Sequence, residues 1–421
     1  MMLPKKILVV SYLFAPNNNI GAIRPSKWAN MLSKKYTVDV ISYGLSGNDS
    51  QNVPHCRNIY HMNNKEVEQH KQISGQTKKR DNAVVLELKH TYRLYLSLKN
   101  GRKFVDFCVN LYKEKLISEK YDVLITSFGP MASLQCGLEI KKLSPDIMWI
   151  CDFRDPVVTE DMAKIFMPYM AYLQQKACKK ADKIVTVSDG YLKRICKGHY
   201  SEKSYMIPNG YDESDIERFD NLSDSSEIMH FVYVGALYEG KRKITPLFRA
   251  LKELMTEGKI DIDKICFDYG GGEGAFLRAQ AEEYGLERII HDHGILSRLE
   301  CLKLQYASQL LVLATWNNKG EYGVFPGKFL EYMMIGKPII SLTDGNLSNG
   351  EVTQVMVEGN FGIAYEAIND QTDYVKLRDY IDFCYAKWKN DKKIPFSPER
   401  EVLERYSYQK IIKHIEELIV G

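Results

Sequence analysis

The feature that most constrains this chain is a series of short, unalternating apolar runs, each followed by a helical pattern. Ile7-Leu8-Val9-Val10-Ser11 and Val38-Asp39-Val40-Ile41-Ser42 flank a polar loop, Pro16 to Gly21, and a helical pattern that reaches about Lys35. A strand that is apolar on both sides has no face for water, so this order predicts a βαβ unit in a parallel sheet covered on both faces. The runs return at Val123-Leu124-Ile125-Thr126, Met148-Trp149-Ile150-Cys151 and Lys183-Ile184-Val185-Thr186-Val187. A second series starts at His230-Phe231-Val232-Tyr233-Val234-Gly235 and continues through Ile265 to Tyr269, Leu310 to Leu313 and Lys337 to Ser341. Between the two series, Pro208-Asn209-Gly210 reads as a turn, and the polar stretch Asp220 to Glu227 delays the next strand. The expectation is two Rossmann-like, doubly wound α/β domains, residues 1–207 and 208–397, and 421 residues suit two such units.

Charge and cysteine usage exclude several classes. A net charge of +3 gives no support for a nucleic-acid partner. The nine cysteines are scattered and never form the close pairs of zinc or redox sites, so they read as reduced, buried thiols in a reducing cytosol, with no metal site. Lys5-Lys6 leads into only about five apolar residues, too few for a signal peptide, and no run approaches the roughly 20 residues that span a bilayer. The predicted location is therefore cytoplasmic. One stretch, about Lys65 to Lys120, breaks the rhythm with basic clusters (Lys78-Lys79-Arg80, Arg102-Lys103) among Tyr92, Tyr95, Phe104, Phe107 and Tyr112. It reads either as a basic helix lying on an anionic membrane surface or as an ordinary solvated helix pair.

Three segments join a strand to a helix where ligands collect in open α/β sheets. Gly21 closes the first loop. Tyr269-Gly270-Gly271-Gly272-Glu273-Gly274 forms a second, which lacks the spacing of a dinucleotide fingerprint. The third is Gly323-Val324-Phe325-Pro326-Gly327-Lys328-Phe329-Leu330-Glu331-Tyr332-Met333-Met334-Ile335-Gly336-Lys337-Pro338. It reads as a loop, a helix starting near Lys328 and a glycine stop. Gly327 and Lys328 offer backbone donors, a positive helix end and an ammonium suited to a diphosphate, and Glu331 could accept from a ribose diol.

The third segment resembles the donor-binding segment of family 4 retaining glycosyltransferases of the GT-B fold, in the form Pro-Gly-Lys-x-x-Glu-Tyr closed by Gly-x-Pro. Thr126-Ser127-Phe128-Gly129-Pro130, Asp152-Phe153-Arg154-Asp155-Pro156, Ser188, Pro208-Asn209-Gly210 and Tyr233-Val234-Gly235-Ala236-Leu237-Tyr238 follow in the same order. The resemblance implies two domains facing a cleft, with residues 398–421 crossing back to the first, where Ile411, Ile412, Ile415, Leu418 and Ile419 make an amphipathic pattern. It implies that Gly21, Lys241, Arg242, Gly327 and Lys328 hold the donor phosphates and Glu331 the ribose, while His293 and Ile295 lie on the segment passing beneath the nucleobase. Asp152, Arg154 and Asp155 would face the reaction centre.

Two positions depart from that pattern. Ala236 stands where many relatives have an arginine, with Arg242 as its candidate substitute, and Gly323 stands where a first glutamate usually holds the donor sugar, with Glu321 nearby. The implied activity is retaining transfer of a sugar from a nucleotide-sugar, most simply a UDP-sugar, to a hydroxyl on a glycan or lipid-linked glycan precursor in bacterial surface-polysaccharide or capsule assembly. Peripheral attachment to the inner face of the cell membrane goes with that reading. No Asp-x-Asp pair stands beside a phosphate loop, so metal-independent chemistry without a cofactor is expected. The competing readings are a sugar-nucleotide epimerase of the same architecture and a scaffold that binds donor without turnover.

Overall fold

The computed structural model describes residues 4–17, 20–44, 54–62, 83–159, 162–212 and 227–421. Asn18, Asn19, the Lys78-Lys79-Arg80 cluster and all of the Asp220 to Glu227 stretch except Glu227 lie outside them. The chain divides into two units, Met1–Asn209 with Tyr408–Gly421, and Gly210–Ser407.

The first unit carries strands β1 (Lys6–Ser11), β2 (Thr37–Ser42), β3 (Asn58–His61), β4 (Val123–Ser127), β5 (Met148–Phe153), β6 (Lys183–Thr186) and β7 (Ser204–Met206). They form one parallel sheet in the order β3-β2-β1-β4-β5-β6-β7. Helices α1 (Ile20–Leu32), α2 (Ala83–Leu111), α3 (Ala132–Leu143), α4 (Met167–Lys180) and α5 (Asp189–Cys196) flank it. The second unit holds β8 (Met229–Val234), β9 (Ile265–Gly270), β10 (Ile290–Asp292), β11 (Leu310–Asn317), β12 (Ile339–Gly345) and β13 (Gly362–Glu366), again parallel, in the order β10-β9-β8-β11-β12-β13. Its helices are α6 (Thr245–Thr256), α7 (Gly274–Glu282), α8 (Arg298–Ala307), α9 (Gly327–Ile335), α10 (Glu351–Glu358), α11 (Asp370–Asp391) and α12 (Arg400–Arg405).

Each sheet reverses its winding beside its first strand, at β1/β4 in one unit and β8/β11 in the other. The carboxyl ends of those strands are the place where such sheets open to a ligand. Cores on both faces explain why the central strands read as continuous apolar runs. On the first sheet, Leu8, Val10, Leu124 and Trp149 pack one way. Ile7, Val9, Val123 and Ile125 pack the other way, against α13 (Tyr408–Val420).

Two expectations need correction. The returning segment begins at Tyr408, not at residue 398, because Val402 and Tyr406 are buried with Phe329 and Phe361 of the second unit. Tyr406 also stacks on Phe325 at 5.4 Å. In place of a helix pair, the described part of the basic stretch is the single 29-residue α2, followed by one π-helical turn, Tyr112–Leu116. Phe104, Cys108, Tyr112 and Leu116 fall on one helical face and are buried under α3.

Candidate functional site

In the second unit, α9 begins at the end of the loop that follows β11. Pro326 is extended (φ −65°, ψ 134°) and caps the helix, and Tyr332 donates to the Val312 carbonyl of β11 at 3.1 Å, which fixes the helix against the sheet. Lys328 in the first turn and Glu331 one turn on then lie on the same face of the helix. Lys328 runs over Gly235, just past β8, where a Cβ would overlap its Cε and Nζ and where φ is +135°. Only glycine meets both conditions. Burial pulls the Lys328 pKa below the ordinary lysine value, Glu331 and Cys301 oppose that shift, and Arg242 adds to it. Neither the Lys328 ammonium nor the Glu331 carboxylate has a hydrogen bond or ion pair among the described residues.

Arg242 is buried beside them. Its Nη1 donates to the Tyr233 hydroxyl at 3.2 Å and to the Ala236 carbonyl at 3.0 Å, and its guanidinium lies 4.6 Å from the Tyr238 ring and 5.4 Å from Trp316. The guanidinium thus returns to the turn at Ala236, the position where the resemblance leads one to look for an arginine. Its Nε is buried with no hydrogen bond. Lys241 is half exposed, 3.8 Å from Glu321 and 5.8 Å from Trp316. The loop carrying both cations is fastened by Glu273, which accepts from the backbone N–H groups of Leu237 (2.6 Å), Tyr238 (3.2 Å) and Glu239 (2.8 Å). Backbone bonds from Gly235 to the Gly270 carbonyl (2.7 Å) and from Gly271 to the Gly294 carbonyl (2.8 Å) bring the His293 to Ile295 turn alongside. Ile295 is exposed there, whereas the His293 ring turns back to Asp268, with Nε2 and Oδ1 2.7 Å apart.

The first unit is arranged differently. Arg154 leaves the end of β5 and lies against Gly21 in the first turn of α1, where a Cβ would overlap its Nη1. It pairs with Asp155 at 2.7 Å, and Nη1 is buried without a partner. Asp152 takes no place beside it at the surface. Its carboxylate is fully buried, paired with Arg24 at 3.0 Å and accepting from Ser127 at 2.8 Å. Arg24 also donates to the Pro208 carbonyl (2.7 Å) and the Ile207 carbonyl (2.9 Å) and stacks on Trp28 at 4.1 Å. Asp152, expected to face a reaction centre, thus has both its oxygens committed within the protein, where it positions Arg24.

The structure therefore gathers Gly327, Lys328, Glu331 and Arg242 in one cluster with Lys241 at its margin, and it sets Gly21, Arg154 and Asp155 in another. Sequence reasoning missed Arg24, Ser127, Tyr238, Glu273 and Trp316. Arg24 carried a signal, a lone arginine in an apolar helix three residues after Gly21, and so did Glu273, a carboxylate inside a glycine run.

No family model and no curated protein matches this chain. Solved structures do. Anabaena HepE in complex with UDP and glucose superposes with a TM-score of 0.58 at 13% identity, covering 99% of each chain. The GT-B fold is shared. The lipopolysaccharide outer core galactosyltransferase WaaB matches at 0.57 with 13% identity and 99% of each chain. A UDP-N-acetylglucosamine 2-epimerase matches at 0.53 with 12% identity, over 99% of this chain and 96% of its own.

Proposed function

We propose that this chain is a retaining, metal-independent glycosyltransferase that uses a UDP-sugar, of the family 4 type that its motifs resemble. The observation that carries the reading is the unpaired Lys328 and Glu331 on the first two turns of α9, beside the buried Arg242 guanidinium. An ammonium and a guanidinium next to a helix N-terminus suit the diphosphate, and a free carboxylate one turn on suits the ribose diol. As the anomeric C–O bond breaks, negative charge grows on the departing diphosphate, and preorganised cations there lower the barrier. Gly21, Arg154 and Asp155 are proposed as the first unit's own functional residues. The UDP bound to HepE supports the donor class.

The acceptor we propose is a lipid-linked glycan precursor in surface-polysaccharide assembly, reached from the cytoplasm at the inner face of the membrane. Support comes from α2, where Leu88, Tyr92, Tyr95, Lys99 and Arg102 are exposed at spacings of three and four and make one stripe, apolar at one end and cationic at the other. No helix among the described residues is long and apolar enough to cross a membrane.

The epimerase reading keeps a place because an epimerase shares the fold. One assay separates them: UDP-, GDP- and ADP-sugars are offered with lipid-linked and free acceptors, and product sugar and released nucleotide are both followed. Acceptor-dependent nucleotide release supports transfer. Inversion of the donor sugar without acceptor supports the epimerase, and binding without turnover supports a scaffold. Association with anionic vesicles that fades as salt is raised, with lipid-linked acceptor preferred, supports the membrane reading; indifference to both defeats it.

A further inference from the structure

Strand alternation sorts the second sheet's residues cleanly. Met229, Phe231 and Tyr233 of β8 and Ile265, Phe267 and Tyr269 of β9 point into one core. His230, Cys266 and Asp268 therefore stand on the opposite face. His230 is paired with Cys266 in register, and His291 of β10 with Asp268. On that face, His230 Nδ1 lies 2.6 Å from one Asp268 oxygen and His293 Nε2 2.7 Å from the other, with His291 Nδ1 at 3.9 Å.

One nitrogen, one sulfur and one carboxylate oxygen, from His230, Cys266 and Asp268, lie within 4.8 Å of one another, and no other such group occurs among the described residues. Asp268 and Cys266 are buried while His230 and His293 are partly open, so donors converge from the interior and an ion has a path from solvent.

We propose that this cluster is a zinc site, with His230 Nδ1, the Cys266 thiolate and an Asp268 oxygen as ligands, a solvent molecule completing the coordination, and His293 Nε2 holding the other Asp268 oxygen. Ligand atoms around tetrahedral zinc stand roughly 3.3 to 3.8 Å apart, so the His230–Asp268 contact, a hydrogen bond of 2.6 Å without metal, would open to admit the ion while all three donor atoms already lie within 4.8 Å of one another. Imidazole, thiolate and carboxylate together suit zinc better than a hard cation. One thiolate and one carboxylate also balance the ion's two charges, so the half-buried site is neutral once the thiol proton and any imidazolium protons are released to solvent. The ion would tie β8 to β9, and the His293–Asp268 hydrogen bond links the end of the three-residue edge strand β10 to the same site. This inference is independent of the proposed transferase activity, because the site is built from side chains other than the Lys328, Glu331 and Arg242 cluster.

The test uses the full chain stripped of metal and titrated with zinc against a chromogenic chelator, then with cobalt in zinc's place. Wild-type protein should bind one equivalent, melt at a higher temperature with zinc, and show a thiolate-to-cobalt charge-transfer band. Cys266→Ser, which nearly preserves shape, should abolish the band and weaken binding at least about 100-fold, and His293→Ala should weaken it about 10- to 100-fold. Circular dichroism and melting without metal check that each variant folds. Binding that is equally strong in Cys266→Ser and His230→Ala, absence of the thiolate band, or no stoichiometric binding by the wild type each overturns the zinc site and leaves a hydrogen-bonded His-Asp-His network.

Discussion

The two domains treat their strand-end charges in opposite ways. In the first, Asp152 is closed on Arg24 and Ser127, and Arg154 is paired with Asp155. In the second, Lys328 and Glu331 stand one turn apart on α9, and neither is engaged by a protein partner. Buried charges that are paired internally hold a fold in one arrangement, whereas desolvated charges left unpaired stay available to a ligand that brings its own countercharge. The difference is one of chemistry, since both clusters stand at the carboxyl ends of strands, at or one strand away from the winding reversal of their sheets.

The largest expected effect tests the closed cluster. Asp152→Ala would leave the Arg24 guanidinium, itself 1% exposed, without its countercharge. Removing one partner of a buried ion pair costs about 3 to 5 kcal/mol, so the denaturant midpoint should fall sharply. If stability holds while turnover is lost, Asp152 belongs to the reaction and the contrast between the domains fails.

The open cluster should respond in affinity and not in stability. Lys328→Ala and Glu331→Ala each remove a proposed charge-assisted contact of about 1.5 to 3 kcal/mol, roughly 10- to 150-fold in donor affinity. Thermal melts of both should stay close to wild type, because neither side chain has a protein partner to lose. The pH dependence sharpens the same point. Burial lowers the Lys328 pKa, so its charge is present below that lowered value and is lost, as pH rises, sooner than for a lysine in water. Donor affinity should therefore fall as pH rises through that lowered value. Lys328→Arg, whose guanidinium does not titrate there, should bind donor with a flatter alkaline limb, measured by calorimetry across the range. An identical fall in both proteins would remove Lys328 from the site.

How much of this was legible in the sequence depended on where water reaches. The nine strands that the apolar runs marked are the inner strands of both sheets, each covered on two faces. The four that went unmarked, β3, β7, β10 and β13, are the four sheet edges. Asn58-Ile59-Tyr60-His61 and Ile290-His291-Asp292 are short and mixed because an edge faces solvent and is blunted by polar residues. The site divided similarly. Gly327, Lys328 and Glu331 were visible because one helix start carries them. Arg24, Ser127 and Glu273 act on residues 128, 25 and 34 to 36 positions away, so only the fold brings them to their partners. The Asp152 pairing was hidden for the same reason, since its partner Arg24 lies in another element.

The smallest expected effect concerns the margin of the open cluster, where Lys241 and Glu321 face each other at 3.8 Å with Lys241 half exposed. At 3.8 Å and with its cation half open to water, the pair gains little Coulomb energy, is screened by salt, and loses side-chain freedom to keep its geometry, although Glu321 itself is mostly covered. Glu321→Gln should leave stability within about 0.5 kcal/mol of wild type. Its effect on ligand binding carries more information. If Lys241 contacts the donor phosphates, Glu321 competes with them for the ammonium, so removing the carboxylate charge should tighten nucleoside diphosphate binding slightly, and the gain should disappear in Lys241→Ala/Glu321→Gln. If Glu321 instead holds hydroxyls of the donor sugar, taking the place of the glutamate that is absent at Gly323, Glu321→Gln should weaken the intact nucleotide-sugar and leave the free nucleoside diphosphate unchanged. Comparing the two ligands on the one variant assigns Glu321 to the sugar or to the neighbouring cation. Equal, unaltered binding of both would confine the open cluster to Lys328, Glu331 and Arg242.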